Sequence, residues 1–267
     1  MKVPIFIAKN LLFNLLKKKI RSSKLRKKIK SSRTYWHIKL FLKRISGREI
    51  WESRDIDLTY AGQGSAGWNY YKEEINADSI IYVFGIGDNI DFEIDLMKEA
   101  ESEVFAFDPT PYSISWLKSI EVSKKFIFHP WALSGSDGLL TLYPRIDKKG
   151  RSSKDMWTLD KTQSDGKNFI EVPAYSVKTV LKKLEHRGID LLKLDIEGAE
   201  YESIRLMLDS KIYPKQILVE FHHRFIGIGK RKTIECIELL RSFGYKIFCI
   251  SQTGREFSFI RGNYKNE

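Results

Sequence analysis

The stretch Ser79-Ile-Ile-Tyr-Val-Phe-Gly-Ile-Gly-Asp-Asn89 decides how the rest of the chain is read. Residues 79–84 are an apolar run of strand length. Gly85 and Gly87 follow at once, and a helix over 92–101 begins with acids in and just before its first turn. A buried strand that enters a glycine turn and then a helix is the opening unit of a doubly wound sheet. The same alternation continues outward. Strands are predicted over 104–107, 126–130, 138–143, 191–194 and 216–221, and helices over 114–119, 176–186 (capped by Ser176), 199–208 and 233–243. Parallel strands need crossovers, which these helices supply. The last two strands, 245–250 and 257–260, have no helix between them and should pair as an antiparallel hairpin at one edge. The fold expected is α/β, with a mostly parallel, doubly wound, Rossmann-like sheet.

The composition fits one such domain. A chain of 267 residues with 42% hydrophobic and 13% aromatic residues is not broadly disordered, and it is long enough to fold without disulfide staples. The net charge of +12 is unevenly placed: residues 1–50 hold 16 Lys/Arg and one acid, Glu49, whereas the remainder holds 30 bases and 33 acids. We therefore divide the chain into a basic arm, 1–50, and a mildly acidic domain, 51–267, and do not expect that domain to grip nucleic acid. Residues 3–20 are too interrupted by Lys9, Asn10 and Asn14 to span a membrane, and no signal-peptide cleavage site follows them. They read as a cationic helix with an apolar side (Ile5, Ala8, Leu12, Leu15, Leu16), ahead of the Lys/Arg/Ser stretch 21–33. Residues 1–33 can lie on an anionic leaflet or form a solvated tail. Cys236 and Cys249 have no metal or redox spacing and read as buried thiols of a reducing, cytoplasmic compartment, with the arm placing the protein at the inner membrane surface.

Ligands of open α/β sheets bind beyond the carboxyl ends of the strands. Gly85 and Gly87 let the backbone approach a ligand there. The third glycine of a dinucleotide fingerprint is missing, with Ile90 and Asp91 in its place, and Asp88 would repel a pyrophosphate. Asp108 ends the second strand 21 residues after Gly87, where a carboxylate can accept hydrogen bonds from both ribose hydroxyls; the alternative is a capping Asp before Pro109. A nucleoside without a diphosphate suits S-adenosyl-L-methionine better than NAD. A nicotinamide oxidoreductase would also lack its Tyr-x-x-x-Lys pair anywhere in 51–267.

The motif Lys193-Leu-Asp-Ile-Glu-Gly-Ala-Glu200 resembles the signature of the FkbM-like class I methyltransferases. Tyr82-Val-Phe-Gly-Ile-Gly-Asp88 and Leu218-Val-Glu-Phe-His-His-Arg224 are similar to the methyltransferase-like-24 branch, and the likeness runs from about residue 60 to 260. The resemblance implies a seven-stranded sheet and S-adenosyl-L-methionine as methyl donor. It implies Gly85 and Gly87 under the methionine part, Asp108 at the ribose and Trp131, Ala132 and Leu133 near adenine. Asp195 would border the sulfonium and the substrate. Phe84 stands where many relatives carry an acid, so Asp88 or Asp195 would have to meet the methionine ammonium.

Methyl transfer is an in-line displacement in which positioning and electrostatics dominate, and an oxygen nucleophile gains from a base. Asp195, Glu197, Glu220, His222 and His223 are candidates. Histidine titrates nearest neutrality, so His222 and His223 lead, although either can be a packed or solvated strand-end residue. Glu197 and Glu200 also suit the first turn of a helix for dipole reasons alone. Asp195, Glu220 and a His offer metal-binding chemistry, but their spacing matches no metal motif and no metal is expected. Gly64, Gly67 and Trp68 can close over the cofactor or form a structural turn. The activity expected is O-methylation of a sugar-like or secondary-metabolite hydroxyl, on a small-molecule or glycan acceptor. The rivals are a nicotinamide oxidoreductase and a non-catalytic binding module docked by its arm.

Overall fold

Residues 32–60, 68–146, 150–225 and 227–264 are described by a computed structural model. The chain separates into two compact units, Met1–Glu49 and Ile50–Glu267. The described part of the first is helix α1 (Arg33–Ile45), with Lys43 and Arg44 in its last turn, where cations complement the dipole. Ile38, Phe41, Leu42 and Ile45, at i, i+3, i+4 and i+7, are all exposed and form one apolar stripe. The helix expected over 3–20, the basic stretch up to residue 31, and Gly64 and Gly67 lie outside the described residues.

The second unit is built on a seven-stranded sheet. Its strands are β1 (Ile81–Phe84), β2 (Val104–Phe107), β3 (Phe126–His129), β8 (Leu191–Leu194), β9 (Gln216–Glu220), β10 (Tyr245–Ile250) and β11 (Glu256–Arg261). They run in the order β10-β11-β9-β8-β1-β2-β3. All neighbours are parallel except β11, which is antiparallel to both β9 and β10. The closing hairpin thus turns its second strand inward and leaves β10 at the edge. Helices α2 (Asp91–Ala100), α3 (Pro111–Leu117), α4 (Val177–Lys183), α5 (Glu200–Asp209) and α6 (Gly229–Ser242) complete the unit.

Side chains alternate across each strand and divide the core in two. Tyr82, Phe84, Phe105, Phe107, Leu192, Leu194, Ile217 and Val219 pack on one side, and Ile81, Val83, Val104, Ala106, Leu191 and Leu218 on the other. With both faces covered, strands read as continuous apolar runs rather than alternating ones. Local capping explains the starts of α3 and α4. Ser176 accepts from the Thr179 N–H at 3.3 Å, and Thr110 caps α3 with Pro111 at its first position, so α3 begins three residues before the sequence expectation. Cys236 and Cys249 are both buried free thiols.

One expectation is corrected. The strand predicted over 138–143 is β5 (Gly138–Ile146), and it belongs to a second, four-stranded sheet, not to the main one. That sheet has the order β4-β7-β5-β6, with β4 (Ala132–Leu133), β6 (Ser152–Thr158) and β7 (Ile170–Tyr175). No strand was expected over 152–158 or 170–175. Pro173 lies within β7, where it cannot donate to the ladder. It is tolerated because β4 pairs only with Ala174 and Tyr175 and stops short of it.

Candidate active site

The order of the main sheet reverses direction between β1 and β8, and the chain ends of these strands diverge there. A cavity of about 330 Å³ opens at this point, within the size range of small-molecule sites. Gly85, Gly87 and Asp88 from the turn after β1, Asp108 after β2, Trp131 and Ala132 near β4, and Asp195 and Glu197 after β8 all line it. The second sheet contributes Leu140, Leu142 and Trp157.

The glycine turn is held from three sides. The Gly85 N–H donates to the Phe107 carbonyl at 2.9 Å, and the Asp195 N–H donates to the Phe84 carbonyl at 2.9 Å. Gly85 has φ +85°, and a Cβ there would overlap the Asp195 carbonyl. From below, Lys193 Nζ donates to the Gly85 carbonyl at 3.2 Å and to Glu93 Oε1 at 3.0 Å. Lys193 and Glu93 are both buried, on the sheet face that also holds Trp68 and Phe92. Trp68 lines the cavity as well, as part of the packed core.

Asp108 is folded back onto this turn. Its Oδ2 accepts from the N–H groups of Ile86 and Gly87 at 3.1 and 3.2 Å and from Ser113 Oγ at 3.0 Å, while Oδ1 accepts from the Thr110 N–H and hydroxyl at 2.9 and 2.7 Å. Five donors use all the acceptor capacity of a carboxylate. Two of these donors, the rotatable hydroxyls of Ser113 and Thr110, also line the cavity. Asp88 is exposed and takes a hydrogen bond from the Tyr112 hydroxyl at 3.1 Å.

Phe84 is buried and stacks on Phe107 at 4.3 Å. The stack continues to His129 at 5.4 Å and to Trp131, which lies 4.3 Å from the His129 ring. Burial holds the His129 imidazole below its ordinary pKa. Trp157 Nε1 is buried with no hydrogen-bond partner among the described residues.

At the other end of the cavity the acids gather. The turn Asp195-Ile-Glu-Gly puts Glu197 at φ +52°, a conformation that costs a non-glycine residue about 1–3 kcal/mol and persists at functional sites. Glu197 pairs with Arg145 at 3.3 Å. Burial raises the pKa of Asp195, against the charges of Lys193 and His222, and raises that of Glu197. Glu220 is pushed up to about 7 by burial and by the charges of Asp195 and Glu256, against Arg255.

His222 and His223 are both buried, and neither lines the cavity. Their expected place at the substrate mouth is therefore corrected: Asp195 and Glu197 line the cavity, and His222 is buried beside them. His222 Nδ1 lies 3.2 Å from Glu200 Oε1, and its Nε2 lies 3.8 Å from both Asp195 Oδ1 and Glu197 Oε2. Burial would lower the imidazole, but the hydrogen bond and charge of Glu200, with Glu197 and Asp195, carry it to about 9. Glu200, which also suits a helix's first turn for dipole reasons, is fully buried and accepts the His222 N–H at 3.0 Å. Sequence reading missed Lys193, Glu93 and Trp157 as parts of this site. A lysine within the apolar strand run was the one signal of the first two.

A seven-stranded sheet with an inward-turned last strand and a cavity at the switch point of its strand order defines the Rossmann-like methyltransferase fold. The family model for the Methyltransferase FkbM domain matches residues 84–247, and the chain belongs to that family. A solved structure, the methyltransferase FkbM from Methylobacillus flagellatus KT, is similar at 10% identity with a TM-score of 0.41; the match covers 71% of this chain and 49% of that one. The chain thus spans about half the length of that structure. No curated protein matches it.

Proposed function

We propose that this methyltransferase takes its methyl group from S-adenosyl-L-methionine and delivers it to a hydroxyl oxygen of a sugar-like or secondary-metabolite acceptor. The observation that carries the cofactor is the charge of the cavity. Asp88, Asp108, Asp195 and Glu197 line it, and the one lysine among its described lining residues, Lys193, is neutralised by Glu93. Such a lining suits a sulfonium and an ammonium and repels the pyrophosphate of a nicotinamide cofactor. In this reading the methionine part crosses the Gly85–Gly87 turn, and Asp88 meets its ammonium. Asp108 takes the ribose, and the adenine lies by Trp131, Ala132 and the indole N–H of Trp157.

Asp195 and Glu197 face the acceptor end. Asp195 places negative charge beside the sulfonium carbon. Glu197, strained into the site and raised by burial, takes the proton of the attacking hydroxyl. His222 supports both carboxylates from behind. The acceptor class rests on the family, with an apolar wall of Leu140, Leu142 and Trp157 to receive a ring face. The basic arm, in the same proposal, holds the protein on an anionic membrane surface.

The test is calorimetry of the full chain with S-adenosylhomocysteine. Saturable binding that weakens at least tenfold in Asp108→Ala is expected. Absence of binding, or equal binding by the variant, overturns the cofactor assignment.

A further inference from the structure

We propose that Asp195, Glu220 and His222 form a binding site for one divalent metal ion, at the acceptor end of the cavity. This rests on reading that cavity as the active site. One potential ligand atom from each residue lies within 4.8 Å of the other two. The ends of β8 and β9, which are adjacent parallel strands, bring them together: Asp195 follows Leu194, and Glu220 closes β9 two residues before His222. Residues this far apart in sequence leave no spacing motif, which is why the sequence pointed away from a metal.

Three further features favour an ion over a plain hydrogen-bonded cluster. His222 is 5% exposed, and its Nε2 lies 3.8 Å from the ligand Asp195 and 3.8 Å from Glu197 beside the site, too far for hydrogen bonds. Two ligands of one ion, each about 2.1 Å from it, come to rest about 3.0–3.4 Å apart, so a shift of a few tenths of an ångström brings these groups onto an ion. The other ring nitrogen is held by Glu200 at 3.2 Å, in the carboxylate–histidine arrangement that fixes the tautomer of metal-bound imidazoles and turns the free lone pair to the metal.

Acids outnumber bases in this cluster. Asp195, Glu197, Glu200, Glu220 and Glu256 are faced by Arg145, Arg255 and His222, since Lys193 is already spent on Glu93. With all five acids ionised and His222 neutral, as a metal-bound imidazole is, the negative charges exceed the positive ones by three, an excess that bound protons or a divalent ion offset. Two carboxylates and one imidazole suit Mn²⁺ and its neighbours between the hard and borderline classes. Because Asp195 lines the cavity, the remaining coordination positions are reachable from it by an acceptor oxygen.

The experiment uses the full chain stripped with a chelator and titrated with MnCl₂, following loss of the free-ion signal by electron paramagnetic resonance. One ion per chain is expected to bind. Glu220→Gln and His222→Gln should each weaken binding at least tenfold, and Glu200→Gln about 10–100-fold through the orientation of His222. Asp137→Asn, at a carboxylate remote from the site, should bind as the parent does. Circular dichroism of each variant shows whether it is folded, and folded Glu220→Gln with parental affinity overturns the site even if His222→Gln fails to fold. Absence of saturable binding of Mn²⁺, and of Mg²⁺ and Zn²⁺ in parallel titrations, also overturns it. S-adenosylhomocysteine calorimetry on the stripped protein separates the two readings: binding there with no metal binding discards only the metal site.

Discussion

Lys193 Nζ lies 3.0 Å from Glu93 Oε1 inside the apolar layer beneath the glycine turn, joining the middle of β8 to the first turn of α2. Each charge is acceptable there only because of the other, and the ammonium also holds the Gly85 carbonyl at 3.2 Å. Removing one member of a buried pair costs about 3–5 kcal/mol, whereas replacing both with apolar residues of similar size is often neutral. Lys193→Met should lose stability of that order in urea unfolding. The double variant Lys193→Met/Glu93→Leu should regain most of it while still losing affinity for S-adenosylhomocysteine, because the turn loses its support. Additive losses in the double variant would show that the two charges act independently.

The two glycines of the turn should differ sharply. At Gly85 a methyl group meets the backbone of Asp195 as well as a left-handed φ of +85°. Backbone cannot move aside, so Gly85→Ala should cost about 3 kcal/mol or more. Gly87, at φ +55°, has nothing within 4 Å of its Cβ position. Gly87→Ala should cost only the left-handed conformation, about 1–2 kcal/mol. Thermal unfolding of the two variants orders them, and equal losses would mean that the approach of Asp195 to the turn is not what fixes Gly85.

The main sheet was legible because its strands are short, largely apolar runs separated by helices, two of which carry side-chain caps, Thr110 and Ser176. The second sheet was not. Its strands are half-exposed, β7 contains Pro173, and β6 is mostly polar, so neither length nor periodicity marks them. The site divides in the same way. Gly85, Gly87, Asp108 and Asp195 follow strand ends, a position that sequence reports directly, and all line one cavity. The orientation of His222 depends on Glu200, a residue 22 positions away on another element, and no local pattern encodes such a pairing.

The acid cluster also gives the stability of the protein a pH signature once divalent ions are removed. Glu220 and His222 both have folded-state pKa values above their ordinary ones, about 7 against 4.5 and about 9 against 6.5. Asp195 and Glu197 shift upward too. A raised folded pKa means that the native state binds the proton more tightly. Its contribution is therefore complete below the unfolded pKa and is lost as pH rises through the folded one. Urea-unfolding free energy should fall steadily from about pH 5 to pH 9. Glu220→Gln should flatten the lower part of this slope and His222→Gln the upper part. A stability that rises over this range would show that these groups are not the buried proton holders described.

The arm yields to a separate measurement. Ile38, Phe41, Leu42 and Ile45 form an exposed apolar stripe on α1, and residues 1–48 contain no acid at all against 16 Lys/Arg. A helix of this kind gains from burying the stripe at the acyl boundary, and each basic side chain near an anionic surface adds about 1 kcal/mol. The full chain should sediment with vesicles containing phosphatidylglycerol and remain in solution with purely zwitterionic vesicles. Raising the salt to about 0.5 M should weaken sedimentation, since the Debye length then falls well below 8 Å. Deleting residues 1–33 should remove most of the electrostatic attraction. The combined change Ile38→Ser, Phe41→Ser, Leu42→Ser and Ile45→Ser should leave salt-sensitive attraction but abolish binding that survives high salt. If the full chain and the deletion sediment equally, the arm is not a membrane anchor, and its charge serves solubility or another partner.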